Sequence, residues 1–90
     1  METKRALAAL GALAQEHRLA IFRLLVRHAP DGLPAGTIGE RLKVAPATLS
    51  FHLKELAHSR LIAARQEGRH IWYRPDFRAM SELVGYLTEH

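Results

Sequence analysis

The chain has no cysteine, which excludes a disulfide framework, a thiolate metal site and a cysteine nucleophile. It also lacks long apolar runs. Arg, Glu or Gln interrupts each one well before the ~18 residues that a membrane span needs. No repeat, linker or low-complexity tract is present, and 90 residues bound the chain to a single small domain, residues 1–90. It has neither carboxylates paired for a cleft nor a phosphate-binding glycine loop, so an enzyme has little support.

What is present points to a partner. Hydrophobic residues make up 48% of the chain, more than a monomer of this size easily hides, and a dimer would bury the surplus. The net charge is +4 and unevenly spread. Residues 1–35 carry five Lys/Arg against three Asp/Glu, residues 36–74 seven against three, and residues 75–90 one against three. A basic centre suits a polyanion. The N-terminal METKRALAALGALAQEH begins basic-then-apolar, like a secretory signal. Its leucines, Leu7, Leu10 and Leu13, recur at helical spacing and run straight into a second amphipathic helix, so a folded helix and a cytoplasmic protein are expected.

The spacing predicts a first helix over about Lys4 to Ala14 and a second over about Glu16 to His28. In the second, Leu19, Phe22, Leu25 and Val26 are expected inward, with Arg18, Arg23 and Arg27 in solvent. Two prolines and a glycine in Ala29–Pro34 stop it, and Leu33 is placed to join a sheet edge. TIGERLKVAPATLSFHLKEL, residues 37–56, reads as two short helices joined by a tight turn. Ile38 and Leu42 share one face. Leu49, Leu53 and Leu56 form a buried stripe of their own, and Pro46 suits the first position of the second helix. Its outward face is then Thr48, Ser50, Phe51, His52, Lys54 and Glu55. Leucines behind and hydrogen-bonding groups in front suit a helix entering a DNA major groove. Beyond Leu61 the period changes to that of strands, over 61–66 and 70–74, turning at Gly68. Of Trp72 and Tyr73, one is expected in the core and the other partly buried. Asp76 caps a last helix carrying Met80, Leu83, Val84 and Leu87. The expected fold is mainly α (α+β): a winged helix-turn-helix with a two-stranded β-hairpin wing.

Three segments in order resemble the ArsR/SmtB family of bacterial metalloregulatory repressors. LAQEHRLAIFRLL at 13–25 is similar to that family's second-helix signature, VAPATLSFHLKEL at 44–56 to its recognition helix, and EGRHIWYRP at 67–75 to its wing. The resemblance implies a homodimeric DNA-binding repressor on a palindromic operator, with recognition helices in the major groove and wings on the flanks. Together with the chemistry of the side chains it points to DNA contacts by Lys43, Ala47, Thr48, Ser50, Phe51, His52, Lys54 and at least one of Arg65 and Arg69. The alternatives are that His52 packs against the wing and that Phe51 tucks under a neighbouring helix. The resemblance also implies a two-fold interface through the first and last helices, by Leu7, Leu10, Leu13, Leu83, Val84 and Leu87.

The departures concern sensing and capping. Gln15 replaces the usual Asp, a poorer cap, and Ala45 stands where Ser commonly caps the recognition helix. Where the arsenic and cadmium sensors carry a Cys-x-Cys pair, this chain has Leu33-Pro34-Ala35-Gly36-Thr37. Where the zinc sensors carry Asp-x-His, Asp76 is followed by Arg78, and a guanidinium cannot ligate a cation. Glu89 stands in place of the later His. Six scattered histidines show no His-x3-His spacing, so no metal ligand and no cofactor is assigned in this chain. A cross-dimer cluster of Glu89 and His90 with a partner's Asp76 is a minor alternative. An inducer, arsenical or metal through residues beyond His90, stays an open expectation. The competing class is a winged-helix protein-interaction module that does not read DNA.

Overall fold

Left-handed residues and prolines set most of the element boundaries. The computed structural model describes residues 1–89. Its elements are α1 (Thr3–Leu13), α2 (Glu16–Arg27), β1 (Leu33–Pro34), α3 (Ala35–Leu42), α4 (Pro46–His58), β2 (Ile62–Glu67), β3 (His70–Pro75) and α5 (Phe77–Thr88). Gln15 does cap α2, its side-chain oxygen accepting the Arg18 N–H at 2.9 Å. Asp76 caps α5 by accepting from the N–H groups of Arg78 and Ala79 at 3.0 and 3.1 Å. Ala45 offers no side-chain cap to α4, and Pro46 removes one of the orphan donors there.

Two non-glycine residues in the left-handed region end the helices of the pair. Lys43 (φ 56°) closes α3 and lets the Val44 N–H reach back to the Gly39 carbonyl at 3.0 Å. Arg60 (φ 67°) follows α4, with Leu61 N–H returning to the Leu56 carbonyl at 3.2 Å. Each satisfies carbonyls that a helix end leaves bare. At Gly39 a Cβ would lie 3.3 Å from Leu49 Cδ2, so its absence allows α3 and α4 their close approach.

The sheet has three antiparallel strands in the order β1-β3-β2. β2 and β3 form the wing, in register from Ile62 opposite Pro75 to Glu67 opposite His70, turning through Gly68 at φ 62°. Leu33 and Pro34 pair with Tyr73 and Trp72 and tie the wing back to the helices. Gly32 just before them has φ 81°, and a Cβ there would fall onto the Tyr73 carbonyl. Glycine is required at that crossing.

The core gathers Ile21 and Leu25 of α2, Ile38 of α3, Leu49, Leu53 and Leu56 of α4, and Leu61. Two inward assignments of α2 need correction. Leu19 and Val26 are 45% and 39% exposed, while Ile21 and Leu24 are buried in their place. The covered face of α2 is thus rotated from the expected one, and the helix packs against α1, α3, α4 and β3. In α1 it is Ala6, Ala9 and Ala12 that face the core, and the leucines largely face out. Neither Trp72 nor Tyr73 is fully buried; both are half-covered, Tyr73 packing on the core and Trp72 lying under the Arg65 guanidinium.

Candidate nucleic-acid interface

α4 buries Leu49, His52, Leu53 and Leu56 and exposes Ala47, Thr48, Ser50, Phe51 and Lys54. The exposed set starts at the helix N-terminus and covers about two turns, with Phe51 56% exposed at its centre. Lys43 is exposed on the turn leading in. The structure therefore leaves hydroxyls, an aromatic ring and the Lys54 ammonium exposed along α4, and the Lys43 ammonium exposed on the turn before it. Hydroxyls and ammonium groups can bond base edges and phosphates, and an exposed apolar ring suits a thymine methyl.

His52 is the residue that does not belong to this face. Its exposure is 7%, and Nδ1 lies 3.3 Å from Arg18 Nη1. Its ring is 5.2 Å from that of His17 and meets Phe51 edge-on at 5.4 Å. Burial pushes its pKa below the ordinary imidazole value, and the neighbouring charges of Arg18 and His17 act the same way, against an opposing pull from Glu55. The DNA-facing expectation for His52 is therefore corrected. The spacing held the signal: Leu49, His52 and Leu56 stand at i, i+3 and i+7, on the buried side. Arg18, expected in solvent, is half-buried behind it.

The wing places its two arginines differently. Arg69 is exposed beside Gly68 at the tip. Arg65 is turned along the strand, with Nε donating to Glu67 Oε2 at 2.6 Å and Nη1 to the Asp31 carbonyl at 2.9 Å. Its guanidinium also sits 5.0 Å from the centre of the Trp72 ring. These contacts join the wing to the loop after α2 and occupy Arg65 within the chain.

On the far side, α1 and α5 lie against each other, linked by the Thr3 and Tyr86 hydroxyls and by an Arg5–Glu82 pair at 3.4 Å. Leu7, Leu10, Val84 and Leu87 are 64%, 39%, 51% and 56% exposed. Two residues expected with them are used internally: Leu83 is 3% exposed and Leu13 packs partly on the core. Among the described residues, no three metal-ligating side chains come together. His90 lies outside the described residues. Among the described residues no helix is long and apolar enough to cross a membrane.

A helix-turn-helix domain family matches residues 13–65, which include α2, the helix pair and most of β2. The chain is 38% identical to the uncharacterized HTH-type transcriptional regulator YceK of Bacillus subtilis over 58 residues, 64% of this chain and 57% of that protein. It is 34% identical to YbzH, another uncharacterized regulator of that type and organism, over 84% of this chain and 88% of that one. Among solved structures, an ArsR-like transcriptional regulator from Rhodococcus superposes with a TM-score of 0.82 at 26% identity, over 93% of this chain and 76% of that one. A homodimeric winged helix-turn-helix DNA-binding domain from Mycobacterium bovis shares the fold at a TM-score of 0.78 and 23% identity, over 97% and 85% of the two chains. These relatives are regulators and not enzymes. In fold, matched segment and relatives, the chain belongs to the helix-turn-helix transcriptional regulators of the ArsR family.

Proposed function

We propose that the protein is a homodimeric transcriptional repressor that binds a palindromic operator and is released by an inducer. The observation that carries the DNA reading is the exposed face of α4, where Thr48, Ser50 and Lys54 stand over a stripe of buried leucines. In this reading α4 enters the major groove, Lys43 and Lys54 meet phosphates, and Arg69 at the wing tip reaches the flank. The unpartnered leucines and valine of α1 and α5 support self-association, and the M. bovis domain that shares this fold is a homodimer. Two copies related by a two-fold axis would present their recognition helices to successive major grooves, about one helical turn apart.

The test is selection from a pool of random duplexes at moderate salt, followed by titration of the enriched sequence. A palindrome is expected, bound as two protomers per site. Enrichment of no sequence over random DNA sinks the reading and favours a protein-interaction module. The inducer part is tested by adding arsenite, zinc, cadmium or an oxidant to the preformed complex. Release by none of them removes the metal- or arsenical-responsive reading.

A further inference from the structure

The outward face of α4 and the α1–α5 surface leave one polar cluster unused, the one behind the recognition helix. Arg18 Nε donates to the Ala12 carbonyl at 2.7 Å, and Nη1 faces His52 Nδ1 at 3.3 Å. The residue's own backbone N–H is held by the Gln15 cap. One guanidinium thus connects the end of α1, the start of α2 and the hidden side of α4. A guanidinium only donates, so Nδ1 is the acceptor and the ring proton is assigned to Nε2.

The remaining contacts behind α4, through Leu49, Leu53 and Leu56, are apolar, and apolar burial is non-directional. Such contacts hold the helix down and limit its rotation through packing, while a directional contact can set it more closely. A hydrogen bond is such a contact. Resting on the reading of α4 as the DNA-reading helix, we infer that Arg18 is a positioning residue, setting the rotation of α4 through the neutral His52 ring. It touches no DNA itself.

The arrangement fails when His52 gains a proton, since a second donor would then face the Arg18 donor. The groups around the ring are Arg18 and His17 from α2 and Glu55 from its own helix. His58 of α4 lines the adjoining cleft of about 250 Å³, which α1 faces with Leu7, Ala8, Gly11 and Ala12. The folded ring ionises less readily than the unfolded one, so the unfolded chain binds more protons as the medium is acidified. The contact's stability is present above the ordinary histidine value and is lost as pH falls through the lower folded value. The direction is diagnostic. A histidine facing DNA phosphates would tighten binding on protonation, whereas one holding the helix from behind would loosen it.

The test uses the full chain and two variants, Arg18→Gln and His52→Gln, the second keeping an acceptor for Nη1 without titrating. Binding to the selected duplex is followed from about pH 7.5 to about pH 5, a range spanning imidazole titration. Wild-type affinity is expected to fall relative to His52→Gln on acidification, and Arg18→Gln to bind about tenfold more weakly at neutral pH, the scale of one charge-assisted hydrogen bond. Superimposable profiles for wild type and His52→Gln overturn the inference, as does tighter wild-type binding in acid. A DNA-free readout separates the two readings. In NMR titrations the backbone amides of Ser50 and Lys54 should follow the His52 ring in wild type but not in Arg18→Gln. If they do not follow it, the positioning role falls even where DNA binds. If they follow and no duplex is preferred at any pH, the DNA reading fails while the coupling of Arg18 to α4 stands.

Discussion

The outer face of α4 and the outer faces of α1 and α5 are exposed to similar degrees but made of opposite materials. α4 puts its large apolar side chains inward and shows Thr48, Ser50 and Lys54 around a single aromatic ring. α1 does the reverse, burying Ala6, Ala9 and Ala12 and showing Leu7 and Leu10. Alanines bring α1 close to the body of the protein, and Leu7 and Leu10 are left exposed. α5 repeats this with Ala79 and Leu83 inside and Val84 and Leu87 outside. A face of hydrogen-bond donors and cations loses little by remaining in water, whereas a contiguous apolar face is costly until covered. The first suits a hydrated polyanion and the second a protein surface. A two-fold copy of the same surface satisfies the second with no other partner.

The harshest way to break this comparison is to charge the apolar side. Leu7→Glu combined with Leu87→Glu should leave helix content unchanged, because both side chains are exposed. Sedimentation should then show a monomer, and operator affinity should fall about a hundredfold or more with the loss of the second half-site contact. A wild-type chain that already sediments as a monomer at micromolar concentration would refute the dimer reading.

The opposite side is tested with a smaller change. Ser50→Ala and Thr48→Val remove exposed hydroxyls that the proposed reading assigns to base edges, without disturbing the buried stripe. Each should cost about 1–3 kcal/mol against the preferred duplex and little against random DNA. Equal losses on both would reassign these hydroxyls to the phosphate backbone.

Much of this contrast is legible in the sequence. Pro46, Gly68 and Asp76 announced their element boundaries because each acts through local backbone chemistry. The wing strands and the leucine stripe of α4 are readable from period alone. The failures are of another kind. Leu19 and Val26 are apolar residues at helical spacing, yet which 100° of α2 is covered depends on where α3, α4 and β3 arrive. Leu83 and the α1 leucines both looked like interface residues, but only the packing of α5 on α1 shows that Leu83 is consumed within the chain. His52 was misplaced because an imidazole reads as surface chemistry, and the guanidinium that receives it lies 34 positions earlier in the chain. Long-range polar pairing leaves no periodic trace.

The gentlest test compares the two arginines of the wing, which composition alone makes equivalent. Arg69 stands exposed at the tip, while Arg65 is committed to Glu67, the Asp31 carbonyl and the face of Trp72. If Arg69 meets a phosphate, Arg69→Gln should weaken binding to all duplexes alike and lower the slope of log affinity against log salt by about 0.9. Arg65→Gln should leave that slope unchanged and instead loosen the wing. Its loss would appear as faster amide exchange along β2 and β3, since the tether to the loop after α2 is gone. A drop in salt slope from Arg65→Gln, with none from Arg69→Gln, would show that the wing turns over on DNA and that Arg65 leaves Asp31 to bind it. Slopes unchanged from wild type in both variants would mean that neither wing arginine meets a phosphate, and that α4 and the turn at Lys43 carry the contact.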